Sequence, residues 1–437
     1  MPKTILSKDQ PYTVTPPERV AEMCQALDLP DRGTQVKALA DRAPGGAFDP
    51  RGMEKIAPQD MGYKPAWVPT RFPYYGMEWD ISGLRLESGC DAAAQLPWLV
   101  LINGGSANFY EFFLDPLNRP GLGQYLAQKA NVLLVTIPGN FKYGGWTEPV
   151  SGRNPQYLLD RDLPPDEVQV RNAVFSNRLI LSGLERLLQA CTDGDILIVG
   201  HSTSGEMAYL AKGTAALSER LNDRFLGWGS GGPAGLRKIW EEAQGFREKS
   251  VQKVSGYPPL WQVRGRSPGN YVKSGYIGPL NPCRASGMSD REVAERWLDL
   301  EHRRRPNFKQ VLQDLEHKGM VELLPKLEAE LTNVLTRTGS KLNPADIQKD
   351  LFAGNHSSLC GYRKMVWVVG KWDRGHWHRE SPQKARELTI ADQFRKFNPD
   401  AEIRILVMDM PLTHYGHIEA PREVAGALLS AVHWLIK

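Results

Sequence analysis

The sequence predicts an α/β protein with a doubly wound, mostly parallel β-sheet. Short, unbroken apolar runs, typical of strands buried on both faces of such a sheet, recur at Trp98–Ile102, Val132–Ile137, Ile196–Val199, Met365–Val369 and Ile403–Val407. Helical patterns lie between several of these runs. Strands that alternate with helices favour parallel pairing through right-handed crossovers.

Residues 1–65 precede this pattern and are predicted to be an N-terminal extension. They are rich in proline, aspartate and lysine, and carry one short helical pattern around Val20–Leu27. The sequence leaves two arrangements open for this segment. It can pack against a second copy in a homo-oligomer, or it can wrap the core of its own chain.

The first part of the core is expected to span residues 66–233. Apolar and polar side chains alternate from Met77 to Leu86, which predicts an antiparallel strand with a turn at Ser82–Gly83. Apolar residues then recur at helical spacing from Val174 to Leu188, before a turn at Cys191–Asp195.

Residues 234–360 break the alternation, since no convincing buried strand occurs there. Ser289–Glu292 has the pattern of a capping box that opens a helix, and 320–335 and 344–352 also have helical patterns. This block is predicted to be a mostly helical insertion standing over one edge of the sheet. The second part of the core, 361–437, ends in an amphipathic helix.

Composition and charge exclude several classes of protein. Of 437 residues, 41% are hydrophobic and 24% charged, which argues against a disordered, collagen-like or coiled-coil chain. At about 150 residues per domain, the length allows roughly three domains. A net charge of +4 is too small and dispersed to favour nucleic acid or an anionic membrane as partner.

The five cysteines are far apart and form no Cys-x-x-Cys pair, so a reducing compartment is expected. Neither a secretory signal nor a run of about 18 apolar residues is visible. We therefore expect a cytoplasmic protein without a membrane anchor.

The sharpest motif follows the third apolar run. There the strand enters Gly200-His-Ser-Thr-Ser204-Gly, and a helical pattern follows. A serine at the apex of a strand–turn–helix needs small residues two before and two after it, which here are Gly200 and Ser204. Ser202 is thus a candidate nucleophile. Ser204 is its rival, but Glu206 would be too large for the tight turn.

A serine hydroxyl needs a base to take its proton and an acid to orient that base. Asp373 lies just past the fourth apolar run, in Gly-x-x-Asp. His417 lies in the loop after the fifth, in His-x-Glu-x-Pro. His414 is the rival base, three residues earlier and without that Glu-x-Pro spacing.

These motifs together resemble the α/β-hydrolase superfamily over about residues 75–235 and 360–437. A further match is Asn103-Gly104-Gly105, which resembles the His-Gly-x oxyanion loop of that family with Asn in place of His. Ser204 departs from the family's usual glycine. The resemblance implies an α/β-hydrolase type of sheet with a helical cap after its sixth strand.

The resemblance also implies a cofactor-free serine hydrolase. Ser202 would be the nucleophile, His417 the base and then the acid, and Asp373 its orienting acid. The backbone N–H groups of Thr203 and Gly105 would form the oxyanion hole. The expected reaction is hydrolysis of a carboxylic ester or lactone. Alternatives with the same triad are amide, peptide or C–C hydrolysis and acyl transfer, and, in another class, a non-hydrolytic binding protein or cofactor-free isomerase.

The remaining expectations concern the pocket. Its candidate residues, which flank the predicted motifs or lie on loops at the same edge, are Gly104, Ser106, His201, Trp146 and Trp372. The expected partner is a small molecule, an ester with an apolar or aromatic group. No metal is expected, because the His376-x-His378 pair stands without other zinc-type spacing.

Overall fold

The computed structural model describes residues 5–6, 10–30, 62–74, 77–102, 110–115, 117, 119–136, 177–202, 204, 208, 211–212, 214–230, 277–294, 361–373 and 399–437. Within them, nine strands form a single sheet in the order β1-β9-β8-β7-β6-β4-β5-β3-β2. The strands are β1 Tyr12–Thr15, β2 Tyr63–Tyr74, β3 Met77–Ser88, β4 Trp98–Ile102, β5 Val132–Thr136, β6 Ile196–Ser202, β7 Arg224–Ser230, β8 Lys364–Gly370 and β9 Glu402–Met408.

The sheet is mostly parallel, as predicted. In the spatial order of the sheet, the strands β1, β9, β8, β7, β6, β4 and β5 are each parallel to the next. β3 is antiparallel to both of its neighbours, β5 and β2. The five apolar runs of the sequence became β4, β5, β6, β8 and β9. Their side chains are almost entirely buried, because helices cover the sheet.

The helices lie at Pro17–Ala26 (α1), Tyr110–Phe113 (α2), Leu122–Leu126 (α3), Asn177–Cys191 (α4), Ala215–Leu221 (α5), Pro282–Ala285 (α6), Gly416–Glu419 (α7) and Pro421–Leu435 (α8), with a 3₁₀ helix at Asp91–Gln95. α4 packs on β2 and β3, and α8 packs on α1, α3 and β8. Among the described helices, none has both the length and the apolarity to span a bilayer.

The antiparallel strand predicted from Met77 is present, but the turn predicted at Ser82–Gly83 is wrong. β3 continues through these residues and pairs with β2 on one side and β5 on the other. Gly83 is needed for close packing instead, since a Cβ there would lie 2.6 Å from Leu133 Cδ1.

The described part of the N-terminal extension wraps the core. β1 pairs in parallel with β9 and so adds a strand at that end of the sheet. α1 packs on α8, where Gly426 leaves room for the thiol of Cys24. The guanidinium of Arg422 donates to the carbonyl of Leu29 at 3.1 and 3.0 Å, and the backbone N–H of Ile5 donates to Ser430 Oγ at 3.0 Å.

The insertion between β7 and β8 is described over residues 277–294. There α6 is followed by the predicted capping box: Ser289 N donates to Glu292 Oε2 at 2.8 Å, and Glu292 N donates to Ser289 Oγ at 3.3 Å. Residues 290–294 are helical, so this helix start is confirmed. The helices predicted at 320–335 and 344–352 lie outside the described residues.

Candidate active site

The predicted nucleophile lies at the edge of the sheet where the parallel strands end. Ser202 is the last residue of β6, and the pairing of β6 with β7 shifts register between His201 and Ser202. The extra residue on β7 is Gly229, with φ of +44°. A Cβ on it would lie 3.5 Å from Asp373 Oδ2. The register shift therefore lies beside the carboxylate of Asp373.

Ser204, the rival nucleophile, is fully buried. Its Oγ lies 2.7 Å from the carbonyl oxygen of Ile102, the last residue of β4, and 2.6 Å from that of His201. The hydroxyl therefore ties the turn after β6 to the end of β4. This gives a structural reason for serine in place of the usual small glycine, and it favours Ser202 as the nucleophile.

The histidine beside Asp373 is His414, not the predicted His417. His414 Nδ1 lies 3.2 Å from Asp373 Oδ2, and both residues are buried. His414 directly precedes the short turn into α7, so its ring stays at the sheet edge. Three residues later, His417 has entered α7 and lies in a different environment.

His417 is completely buried beneath that pair. Its Nδ1 accepts a hydrogen bond from Trp228 Nε1 at 3.2 Å, and its Nε2 lies 3.7 Å from Glu111 Oε2. Burial, and secondarily the nearby His414, lower the pKa of His417 to about 3, although Asp373 acts in the opposite direction. Because the indole N–H can only donate, the proton of this neutral ring is on Nε2, facing Glu111.

His201 joins β6 to the loop of His414. Its Nε2 lies 2.8 Å from the carbonyl oxygen of His414. A carbonyl only accepts, so this nitrogen carries the proton. The His201 ring also packs against the rings of His414 and His417, each at 4.5 Å between centroids. The sequence predicted His201 as a pocket residue. In the structure its side chain is buried.

Glu111, His201 and His417 could in principle form a metal site, since one potential ligand atom of each lies within 4.8 Å of the others. The proton positions do not suit it. A metal on His417 Nε2 would move the ring proton to Nδ1, directly facing the indole N–H of Trp228. The hydrogen bond from Trp228 to His417 Nδ1 therefore argues against a metal on His417 Nε2.

Glu419 is a further buried carboxylate, at the end of α7. Its Oε2 accepts from Thr413 N at 2.7 Å, and its Oε1 accepts from Thr413 Oγ1 and from Gly278 N, both at 2.8 Å. Burial raises the pKa of Glu419 to about 7, against the lowering effect of these hydrogen bonds and with a smaller contribution from Asp373.

Of the other predicted site residues, Trp372 is the one that the structure describes. Trp372 is half-buried next to Asp373, and its backbone N–H donates to the carbonyl of Leu412 at 3.0 Å. The remaining predictions lie outside the described residues: Gly104, Gly105, Ser106, Trp146 and Thr203.

Sequence reasoning missed Glu111, Trp228 and Glu419 as site residues. Trp228 is in a strand interrupted by glycines, and no sequence pattern singled out Glu111. Glu419 is part of the His-x-Glu-x-Pro pattern that pointed to His417. Its separation along the chain from His414 was the more informative spacing.

Counted from β2, the sheet order is 1-2-4-3-5-6-7-8, with the second strand antiparallel to its neighbours. The serine turn ends the fifth of these strands, while the Asp373 and His414 loops follow the seventh and eighth. The chain has the α/β-hydrolase fold. The fold class predicted from the sequence is thereby confirmed, and β1 is an additional strand beside β9.

No protein-family model matches the sequence, and no curated protein matches it either. Solved structures similar to this chain include a bacterial membrane phospholipase A described as a virulence factor. The two are 14% identical, with 93% of each chain covered and a TM-score of 0.44.

Two further similar structures are a thioesterase domain from the curacin biosynthetic pathway and a haloalkane dehalogenase from Bradyrhizobium elkani. The thioesterase is 13% identical, with 83% of this chain and 99% of that chain covered and a TM-score of 0.39. The dehalogenase is 13% identical, with 85% and 98% covered and a TM-score of 0.37. These are likenesses of fold alone, so the chemistry has to be argued from the residues of this site.

Proposed function

We propose that the protein is a serine hydrolase in which Ser202 is the nucleophile, His414 the general base and Asp373 the acid that orients it. The observation that carries this proposal is the 3.2 Å contact between His414 Nδ1 and Asp373 Oδ2, at the sheet edge where Ser202 ends β6. With Nδ1–H held by the carboxylate, Nε2 is the nitrogen left to accept the serine proton.

The proposed substrate is a carboxylic ester or lactone. Ser202 Oγ attacks the carbonyl carbon while His414 Nε2 takes its proton. The tetrahedral intermediate then collapses, the C–O bond to the alcohol breaks, and His414 returns the proton to that oxygen. A water molecule, deprotonated by His414, attacks the acyl-enzyme, which releases the acid and restores Ser202.

The buried network supports this cycle electrostatically. His414 becomes cationic in each half-reaction, and a second cation packed beside it would oppose that change. His417 remains neutral because its pKa is lowered to about 3 by burial. The oxyanion would be held by the backbone N–H groups of Thr203 and Gly105, as the family resemblance implies.

The insertion after β7 is proposed to cover the site and shape a pocket for a small ester with an apolar or aromatic group. Support comes from residue 278, whose backbone N–H bonds Glu419 just beside the loop of His414. Closure of such a cover would exclude bulk water from the acyl-enzyme.

The experiment is covalent labelling with a fluorophosphonate probe. The wild-type protein should be labelled, and Ser202→Ala should not be. Ser204→Ala is the matched control, because it removes a neighbouring hydroxyl and should still be labelled if it folds. Equal labelling of wild type and Ser202→Ala would contradict the proposal. A panel of p-nitrophenyl esters against anilides and diketones then tests which bond is cleaved.

A further inference from the structure

We propose that Glu419 is a positioning residue that fixes the His414 loop and the insertion to one another, so that placement of the base and seating of the cover depend on a single carboxylate. This inference rests on the proposed function, because the base it positions is His414. The argument depends on three hydrogen bonds and on where their donors lie in the chain.

Two of the donors belong to Thr413, the residue directly before His414. Its backbone N–H donates to Glu419 Oε2 at 2.7 Å and its hydroxyl donates to Oε1 at 2.8 Å. The same hydroxyl oxygen also accepts from the backbone N–H of Tyr415 at 3.3 Å. The residues on both sides of His414 are therefore held through Thr413 and the carboxylate.

The third donor is in the insertion. The backbone N–H of Gly278 donates to Glu419 Oε1 at 2.8 Å. The approach is close enough that a Cβ on Gly278 would lie 2.5 Å from Oε1 and 2.8 Å from Thr413 Cγ2. A glycine at this position thus permits the contact, and the insertion meets the base loop at this point.

A carboxylate suits this place better than an amide. Three donors converge on two oxygens, and above its pKa of about 7 Glu419 is an ionised carboxylate with lone pairs for all of them. Glutamine has one acceptor oxygen, and its NH₂ group would face at least one N–H or O–H donor. Glu419 is buried, so a donor left unsatisfied there cannot turn to bulk water.

The consequence is that two carboxylates fix the position of the proposed base, His414. Asp373 fixes the ring of His414 through Nδ1, whereas Glu419 fixes the backbone that carries the ring. Small misplacements of a catalytic group reduce the rate sharply, by as much as roughly 100-fold for a displacement of about 1 Å. Loss of the Glu419 contacts should therefore lower catalysis even in a folded protein.

The first test measures the rate of fluorophosphonate labelling in the full-length protein, well below the melting temperature of each variant. Glu419→Gln should be labelled roughly 10- to 100-fold more slowly than wild type. Glu423→Gln is the matched control, because Glu423 lies in the first turn of α8 and is partly exposed. It should be labelled at the wild-type rate.

The second test separates the two connections by steady-state kinetics on an activated ester. Thr413→Ala should lower kcat with little change in KM, and Thr413→Ser, which retains the hydroxyl, should restore kcat. Gly278→Ala should raise KM as well as lower kcat, because the new methyl group displaces the insertion and also presses on Glu419 Oε1 and Thr413 Cγ2. Pro279→Ala, at the exposed neighbouring position, should change neither constant.

The outcomes distinguish failure of the inference from failure of the proposed function. If wild type is not labelled at all, the serine hydrolase assignment fails. If wild type is labelled, but Glu419→Gln is labelled as fast as Glu423→Gln, the positioning role is wrong. If Glu419→Gln does not fold, the Thr413 pair decides: equal kcat for alanine and serine variants would overturn the proposal.

Discussion

His414 and His417 are close in the chain and both are buried near Asp373, yet their ring nitrogens face different groups. His414 Nδ1 contacts the carboxylate of Asp373, whereas His417 lies between the indole N–H of Trp228 and Glu111. The two rings can therefore be tested separately: His414 for the proposed proton transfer, and His417 for packing and hydrogen bonding in the buried part of the site.

Alanine variants of the two histidines should show this separation. His414→Ala should reduce ester hydrolysis by roughly 10²- to 10⁴-fold, the usual contribution of a general base. His417→Ala should lose about 1–3 kcal/mol of unfolding free energy, since it leaves the indole N–H of Trp228 unsatisfied, but should keep measurable labelling. Steady-state kinetics measures the rate of ester hydrolysis, and urea unfolding measures the unfolding free energy. Retained activity in His414→Ala would contradict the assignment.

The lowered pKa of His417 predicts a loss of stability in acid. Folding holds this pKa near 3 by burial, whereas the unfolded chain protonates the ring near its usual value of about 6.5. As pH falls below that value, the unfolded state binds a proton that the folded state does not, so the unfolding free energy decreases.

The measurement compares wild type with His417→Gln by urea unfolding at pH 7 and pH 4.5. Wild type should lose more stability over this interval, by a few kcal/mol at most. The raised pKa of Glu419 acts in the opposite direction between about 4.5 and 7, and it is common to both proteins. The difference between the two proteins in how unfolding free energy changes with pH therefore reports the titration of His417. If the unfolding free energies of both changed in parallel with pH, that titration would contribute nothing.

Among the elements, α1 and α8 make a contact that the sequence pattern did not predict. A Cβ on Gly426 would lie 2.7 Å from Cys24 Sγ, so the two helices approach as closely as a glycine allows. The thiol also donates to the carbonyl of Arg422 at 3.5 Å, and burial raises the pKa of Cys24 to about 11. The thiol is a packing group in this interface.

Gly426→Ala should therefore destabilise the protein by about 1–3 kcal/mol through overpacking, even though alanine is the better helix former. Cys24→Ala should suppress part of that loss, because it makes room for the new methyl group. A double-mutant cycle by thermal or urea unfolding measures the coupling. Strictly additive effects would mean that the helices do not meet as described.

At the scale of the whole molecule, the strongly apolar part of the sheet could be predicted from the sequence. Buried strands read as continuous apolar runs, and all five such runs became strands. β2 was missed because it contains three prolines, at 65, 69 and 73, which an edge strand tolerates. β7 was missed because Gly227 and Gly229 interrupt its apolar pattern.

The candidate site was predictable at the level of loops but not of side chains. The serine turn, the Asp373 loop and the histidine loop follow the expected strands. The choice between His414 and His417 depends on which way each ring points where the chain enters α7. A spacing pattern contains no such information, because the buried partners of His417 come from β7 and α2, distant in sequence.

The pairing of β1 with β9 has a consequence for synthesis on the ribosome. Tyr12 is opposite Ile405 in the sheet, and Ile5 bonds Ser430, so residues 5–15 find these partners only after residues about 400 positions later have been made. Contacts so distant in sequence form late in folding. Until then, residues 5–15 are exposed to chaperones and proteases, and a nascent chain stalled before β9 would leave the edge of its sheet open to wrong partners.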